Sequence, residues 1–152
     1  MLLNINPPSN RVLVADDDPV IRHLVTTIVT KEGYTVVVAN DGNEAYRHLQ
    51  RDADFTAAVF DMMMPGLKGL DLLRYMRTEK RLSRIPVLMI TSHKDLTIMA
   101  DLFAAGATAI LRKPFSTVQI QAMFQMIIGQ RRPNSDDFSQ KLTMGQHRSV
   151  GI

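Results

Sequence analysis

Five short apolar runs, each followed by a helical stretch, set the strongest limit on how this chain can fold. Val12 to Ala15, Thr35 to Ala39, Ala57 to Phe60, Pro86 to Ile90 and the weaker Ala109 to Leu111 are the runs. They are almost uniformly apolar instead of alternating, which predicts strands covered on both faces, as in a parallel sheet. Helical patterns fill the intervals. Asp18 and Pro19 read as an N-cap and a first-turn proline, after which Ile21, Leu24, Val25 and Ile28 recur on one face until Gly33 stops the helix. Asn43 to Gln50, Lys68 to Glu79, Asp95 to Ala105 before Gly106, and Ser116 to Gly129 are the remaining helical segments. Parallel neighbours need crossover helices, so the alternation predicts a doubly wound α/β sandwich with a five-stranded parallel sheet.

The chain has 152 residues, 45% of them hydrophobic and 22% charged, the balance of one ordinary globular domain. Residues 1–10 read as an N-terminal extension, 11–130 as the domain and 131–152 as a flexible tail. No apolar run approaches the ~20 residues of a membrane span, and Met1 to Asn10 lacks a signal peptide's pattern, so the expected compartment is the cytoplasm. The absence of cysteine excludes disulfides and thiolate metal sites. A net charge of +3 without a dense basic stripe argues against nucleic-acid binding.

Ligands of open parallel sheets bind outside the carboxyl ends of the strands. That rule gathers Asp16, Asp17, Asp61, Thr91 and Lys113 at one mouth. Carboxylates meeting there repel unless a hard divalent cation offsets their charge, and Mg2+ fits an oxygen set that leaves room for waters and a phosphoryl oxygen. Lys113 adds a positive charge, and the Thr91 hydroxyl is placed to donate to a phosphoryl oxygen. Carboxylates form acyl phosphates, and Asp61, alone at the end of the third run, is the expected nucleophile.

Four segments in this order and spacing, VLVADDDP (12–19), FDMMMPGLKG (60–69), MITS (89–92) and LRKPF (111–115), resemble the receiver domains of two-component response regulators, including single-domain chemotaxis-type regulators. The resemblance spans roughly residues 10 to 130. It implies a (βα)5, flavodoxin-like fold in which Asp61 accepts a phosphoryl group from a sensor histidine kinase or phosphotransfer protein. It also implies that Asp17, Asp61 and the Met63 backbone carbonyl ligate Mg2+, with Asp16 acting through water. Thr91 and Lys113 become the family's phosphoryl-sensing hydroxyl and characteristic lysine. The implied function is a phosphorylation-dependent switch in a phosphorelay, not an enzyme acting on other substrates. Its variant is a receiver cut from a longer, for example DNA-binding, regulator.

Simpler roles fit several neighbours. Asp18 reads as a cap, Pro65 and Gly66 shape the loop after Asp61, and Gly69 lets the third helix approach. His23, His48 and His147 read as surface residues, whereas His93 and Met63 occupy positions that tune acyl-phosphate hydrolysis in the resembled family. A phosphatase-type enzyme with an aspartyl phosphate is the rival reading, but haloacid dehalogenase-like enzymes usually carry a second acid where Met63 stands. A flavin binder is weaker, since no Gly- or Ser/Thr-rich loop follows the first run. Ile110 stands where the family commonly has a swinging aromatic, which puts that form of readout in doubt. From Pro114 to Gln130 there is no charged residue. With Ile120, Phe124 and Ile127 on the core side, Val118, Met123 and Met126 face the flank or outside, joined by Met99, Phe103 and Ile110. This predicts an apolar face through Met99, Ile110, Met123 and Met126 that pairs with a second copy or a changing partner.

Overall fold

The computed structural model describes residues 10–129. The chain alternates β1 (Arg11–Ala15), α1 (Pro19–Lys31), β2 (Thr35–Ala39), α2 (Gly42–Arg51), β3 (Ala57–Asp61), α3 (Gly69–Thr78), β4 (Val87–Thr91), α4 (Leu96–Ala104), β5 (Ala109–Arg112) and α5 (Thr117–Ile128). The strands form one sheet in the order β2-β1-β3-β4-β5, and every neighbouring pair is parallel. The expected doubly wound α/β architecture is therefore the one observed, with element ends shifted by about one residue. The expected extension (1–10) and tail (131–152) lie outside the described residues, apart from Asn10, whose carbonyl accepts from the Thr35 N–H. No helix among the described residues is long and apolar enough to cross a membrane.

Alternation within each strand splits the core in two. Val12 and Val14 of β1 and Ala57 and Val59 of β3 pack with Val25, Ile28 and Val29 of α1 and Ile120, Phe124 and Ile127 of α5. Leu13 and Ala15, Ala58 and Phe60 point the other way, into a cluster with Ala45 and Leu49 of α2, Leu72, Leu73 and Met76 of α3, and Leu102 of α4. Uniformly apolar strand sequences follow from this, because odd and even positions alike meet a helix layer. Each fully buried large side chain contributes roughly 1.5–3 kcal/mol of transfer free energy.

Two expectations need correction. The Thr35 to Ala39 run is not covered on both faces: β2 is an edge strand, with Thr35 and Val38 exposed and Val36 and Val37 half-buried. Ile110 is not part of an exposed face, since it is 8% exposed and packs into the cluster beneath α4. A β5 residue of that parity points toward the α4 layer, and the helix closes over it.

Local signals account for the connections that carry the strand ends to one mouth. The Asp18 carboxylate caps α1 by accepting from the Val20 N–H at 2.9 Å. Gly33 ends that helix at φ 96°, a left-handed conformation that costs other residues energy. At Gly69 the requirement is space: an added Cβ would lie 2.4 Å from the Asp61 carbonyl oxygen and 2.8 Å from the Met89 terminal methyl. The start of α3 is thus pressed against the end of β3, which fixes Asp61 from behind.

Gly69→Ala is expected to destabilise the protein by about 1–3 kcal/mol, as overpacking does in a closed contact. Urea unfolding monitored by circular dichroism measures this, and a midpoint equal to wild type would refute the close-approach role.

Candidate functional site

Three consecutive ladders of the sheet bring the acids, the hydroxyl and the lysine together. Asp16 and Asp17 follow the last residue of β1, Asp61 ends β3, Thr91 ends β4 and Lys113 follows the last residue of β5. Register aligns these ends: Ala15 lies beside Phe60, Asp61 beside Ile90 and Thr91 beside Arg112. Backbone bonds extend the ladders one step past the strands, from Met62 N–H to Ile90 carbonyl at 2.8 Å and from Lys113 N–H to Thr91 carbonyl at 2.8 Å. The Lys113-Pro114 bond is cis.

Asp16 and Asp61 are 2% and 5% exposed, whereas Asp17 is exposed. One carboxylate oxygen from each of the three lies within 4.8 Å of the others, a grouping that can hold a metal ion. Lys113 Nζ stands 3.2 Å from Asp61 Oδ1. Burial raises the Asp16 carboxyl from 3.8 to about 6, helped by the Asp61 and Asp17 charges and opposed by the Asp18 N–H and Lys113. Burial likewise raises Asp61, with Lys113 as the main opposing influence. The site therefore carries more negative charge than its one close lysine offsets.

Asp16 is anchored on one side. Its Oδ1 accepts from the Asp18 N–H at 2.9 Å, and Arg22 Nη1 donates to its backbone carbonyl at 2.9 Å. Asp16 Oδ2 is buried with no protein hydrogen-bond partner. An orphaned, buried carboxylate oxygen beside two further carboxylates is the donor set a hard cation requires, so the residues fit Mg2+.

Thr91 is 1% exposed, and its hydroxyl both donates and accepts a hydrogen bond. It accepts from the His93 N–H at 3.0 Å and donates to the Met62 thioether sulfur at 3.3 Å. Met63 is 49% exposed and His93 half-buried, both on the loops at this end of the sheet. The structure thus brings together Asp16, Asp17, Asp61 and Lys113, and sets Thr91 at the end of the strand next to Asp61's. Sequence reasoning missed two contributors, Met62 and Arg22. Met62 becomes legible only with the β3 and β4 register, which sets the residue after Asp61 beside the end of β4. Arg22 becomes legible from the helical position one turn past the Asp18 cap.

Residues 12–125 match the response regulator receiver domain family. The response regulator MprA of Mycobacterium leprae is 33% identical over 134 residues, covering 88% of this chain and 57% of that protein, so the chain spans little more than half of this longer relative. The structure is similar to the chemotaxis response regulator CheY4 of Vibrio cholerae, with a TM-score of 0.72 and 29% identity over 78% of this chain and 98% of that one. It is also similar to the receiver domain of the sensor histidine kinase PA1611 of Pseudomonas aeruginosa, which has a magnesium ion coordinated in its active site cleft (TM-score 0.70, 26% identity, 80% and 98% covered). By fold, by the order of its acids and lysine, and by this match, the chain belongs to the receiver domain family of two-component response regulators.

Proposed function

We propose that Asp61 is the phosphoryl acceptor and that its phosphorylation switches the contacts this domain makes with other proteins. The observation that carries the reading is the Lys113 ammonium 3.2 Å from an Asp61 carboxylate oxygen inside a cluster of three carboxylates. One Asp61 oxygen attacks the phosphorus of a phosphohistidine on a sensor kinase or phosphotransfer protein. The P–N bond breaks as the P–O bond forms, and the imidazole nitrogen leaves with the bonding pair. Lys113 neutralises charge on the phosphoryl oxygens, and the Thr91 hydroxyl donates to one of them once the group is in place. Asp17, Asp61 and the Met63 backbone carbonyl would hold Mg2+ directly and Asp16 through water. When bound, the ion supplies charge neutralisation across the carboxylates and the incoming phosphoryl group. The domain acts on its own carboxylate, in the cytoplasm, with Met63 and His93 beside the mouth setting how readily water reaches the acyl phosphate.

Incubation with acetyl phosphate and Mg2+ is expected to raise the intact mass by one phosphoryl group, and Asp61→Asn is expected to abolish the gain. An equal gain in the Asn variant would place the acceptor elsewhere.

The site's charge also sets a pH dependence. Asp16 and Asp61 bind protons more tightly folded than unfolded, so between pH 4 and roughly 6 the folded state holds more protons and stability falls as pH rises. For Asp16 the effect is on the order of 1–3 kcal/mol. Asp52, held low by the Arg11 side chain, contributes the opposite slope, but below this window. The metal-free protein is therefore expected to melt at a higher temperature at pH 5 than at pH 7.5, and millimolar Mg2+ to recover most of the difference. A metal-free protein as stable at pH 7.5 as at pH 5 would contradict a charge-strained site.

For output, we propose self-association through α4 and α5. Phe103 of α4 and Val118 and Met126 of α5 are exposed at 51%, 71% and 41%, and α5 has no charged residue. Met99 and Met123 are half-buried, packed against the two core clusters, and would add their remaining exposed parts to this surface. Met126→Glu is expected to weaken dimerisation in sedimentation experiments while leaving the phosphoryl gain intact. A wild type that stays monomeric at high concentration, with and without phosphoryl mimic, would discard this surface.

A further inference from the structure

We infer that Met62 is a positioning residue whose thioether holds the Thr91 hydroxyl in the resting state and must release it when Asp61 is phosphorylated. This rests on the reading of Asp61 as acceptor and Thr91 as its sensing hydroxyl, and adds the group that opposes the engagement.

A threonine hydroxyl has one hydrogen to donate. Here that hydrogen goes to Met62 Sδ at 3.3 Å, while the oxygen accepts the His93 N–H at 3.0 Å. With Thr91 1% exposed, water cannot compete for either bond. To donate to a phosphoryl oxygen, the hydroxyl has to give up the sulfur.

Both backbones are pinned, so the exchange falls to side-chain rotation. Met62 is held by its N–H to the Ile90 carbonyl at 2.8 Å and by the Gly69 N–H to its own carbonyl at 3.0 Å. Thr91 is held by the Lys113 N–H on its carbonyl at 2.8 Å. The Met62 side chain is half-buried and packs against the core cluster on the α2, α3 and α4 side, which keeps the sulfur at the hydroxyl.

The chemistry of sulfur suits a bond that is made to break. A thioether is a weak acceptor, enough to satisfy a buried hydroxyl and easily outcompeted by an anionic phosphoryl oxygen. Once released, the sulfur is left without a partner at little loss, whereas an abandoned amide or carboxylate would be strongly penalised. A stronger acceptor at position 62 would hold Thr91 against the phosphoryl group. An aliphatic side chain there would leave the resting hydroxyl's hydrogen unsatisfied and favour the engaged state.

The test is a double-mutant cycle read through beryllium fluoride, a phosphoryl mimic, with Mg2+. Met62→Leu preserves size and apolar packing, and Thr91→Val preserves shape while removing the hydroxyl. Titrations followed by the amide resonance of His93 give the affinities. Met62→Leu is expected to tighten binding about threefold to tenfold, the loss of one weak hydrogen bond from the resting state. The same substitution in the Thr91→Val background is expected to change the affinity less than twofold, and the resting His93 amide shift to respond to Met62→Leu only where Thr91 is present. An equal effect in both backgrounds, no effect in either, or weaker binding by Met62→Leu would overturn the latch. A wild type with no affinity for the mimic would instead overturn the reading of Asp61 as acceptor.

Discussion

Two carboxylates held almost wholly out of water, next to a third and against one close lysine, are the constraint on which the rest of this structure turns. Burial alone favours protonated Asp16 and Asp61, and the charges of neighbouring carboxylates, Asp61 and Asp17 on Asp16 and Asp17 on Asp61, work in the same direction. A fold selected for stability alone would place apolar side chains there. Keeping the acids means that the unliganded state is electrostatically under-compensated, and whatever brings positive charge binds to a site already shaped for it. The charge of the site is therefore stored as an arrangement, and a phosphoryl group of the kind proposed would meet oxygens and an ammonium already in place.

The arrangement holds because it is built from strand ends. A side chain at the end of a parallel strand is fixed by ladders on both sides, and the helix that follows turns back over the sheet. Asp61 shows the extreme case, with the central position of β3 in the sheet order in front and Gly69 pressing on its carbonyl from behind. Asp16 is held through the Asp18 N–H and Arg22. The proposed switch therefore falls to the loops and side chains at the mouth, if the two packed cores are to stay unchanged.

The sheet and the acids were legible in the sequence because both depend on local pattern. Apolar runs of four or five residues mark strands buried on two sides, and an acid or hydroxyl that ends such a run lies at the carboxyl end whatever the register. Non-local properties were not legible. The Thr35 to Ala39 run is as apolar as its neighbours, yet strand order puts it at an edge and exposes Val38. Ile110 looked like a surface residue because its role depends on which layer its strand parity meets, and that layer is closed by Leu102 of α4. Met62 carries no signal at all in a string of three methionines. Its sulfur matters only because the β3 and β4 register sets it beside Thr91.

Ile110 and Met62 together bear on how the state of the pocket reaches the surface. The resembled family's aromatic, at the position of Ile110, has a ring that changes places as the threonine moves. A buried, β-branched isoleucine has no such motion, being stiff at χ1 and packed among Leu102, Met89 and their neighbours. Under the proposed function, movement of the hydroxyl would pass to what it touches besides Met62, the His93 N–H at the start of the loop leading to α4. If Thr91 rotates toward Asp61, that part-buried N–H either follows or loses its acceptor, and losing the bond costs about 0.5–1.5 kcal/mol. A term of that size shifts a loop between two conformations by roughly twofold to tenfold, without any ring having to swing. Met62 sets the other side of the balance. Under this proposal, a Thr91 hydroxyl held by Met62 also keeps the His93 N–H on its acceptor, and the loop to α4 would leave its resting form only when a phosphoryl oxygen displaced the sulfur.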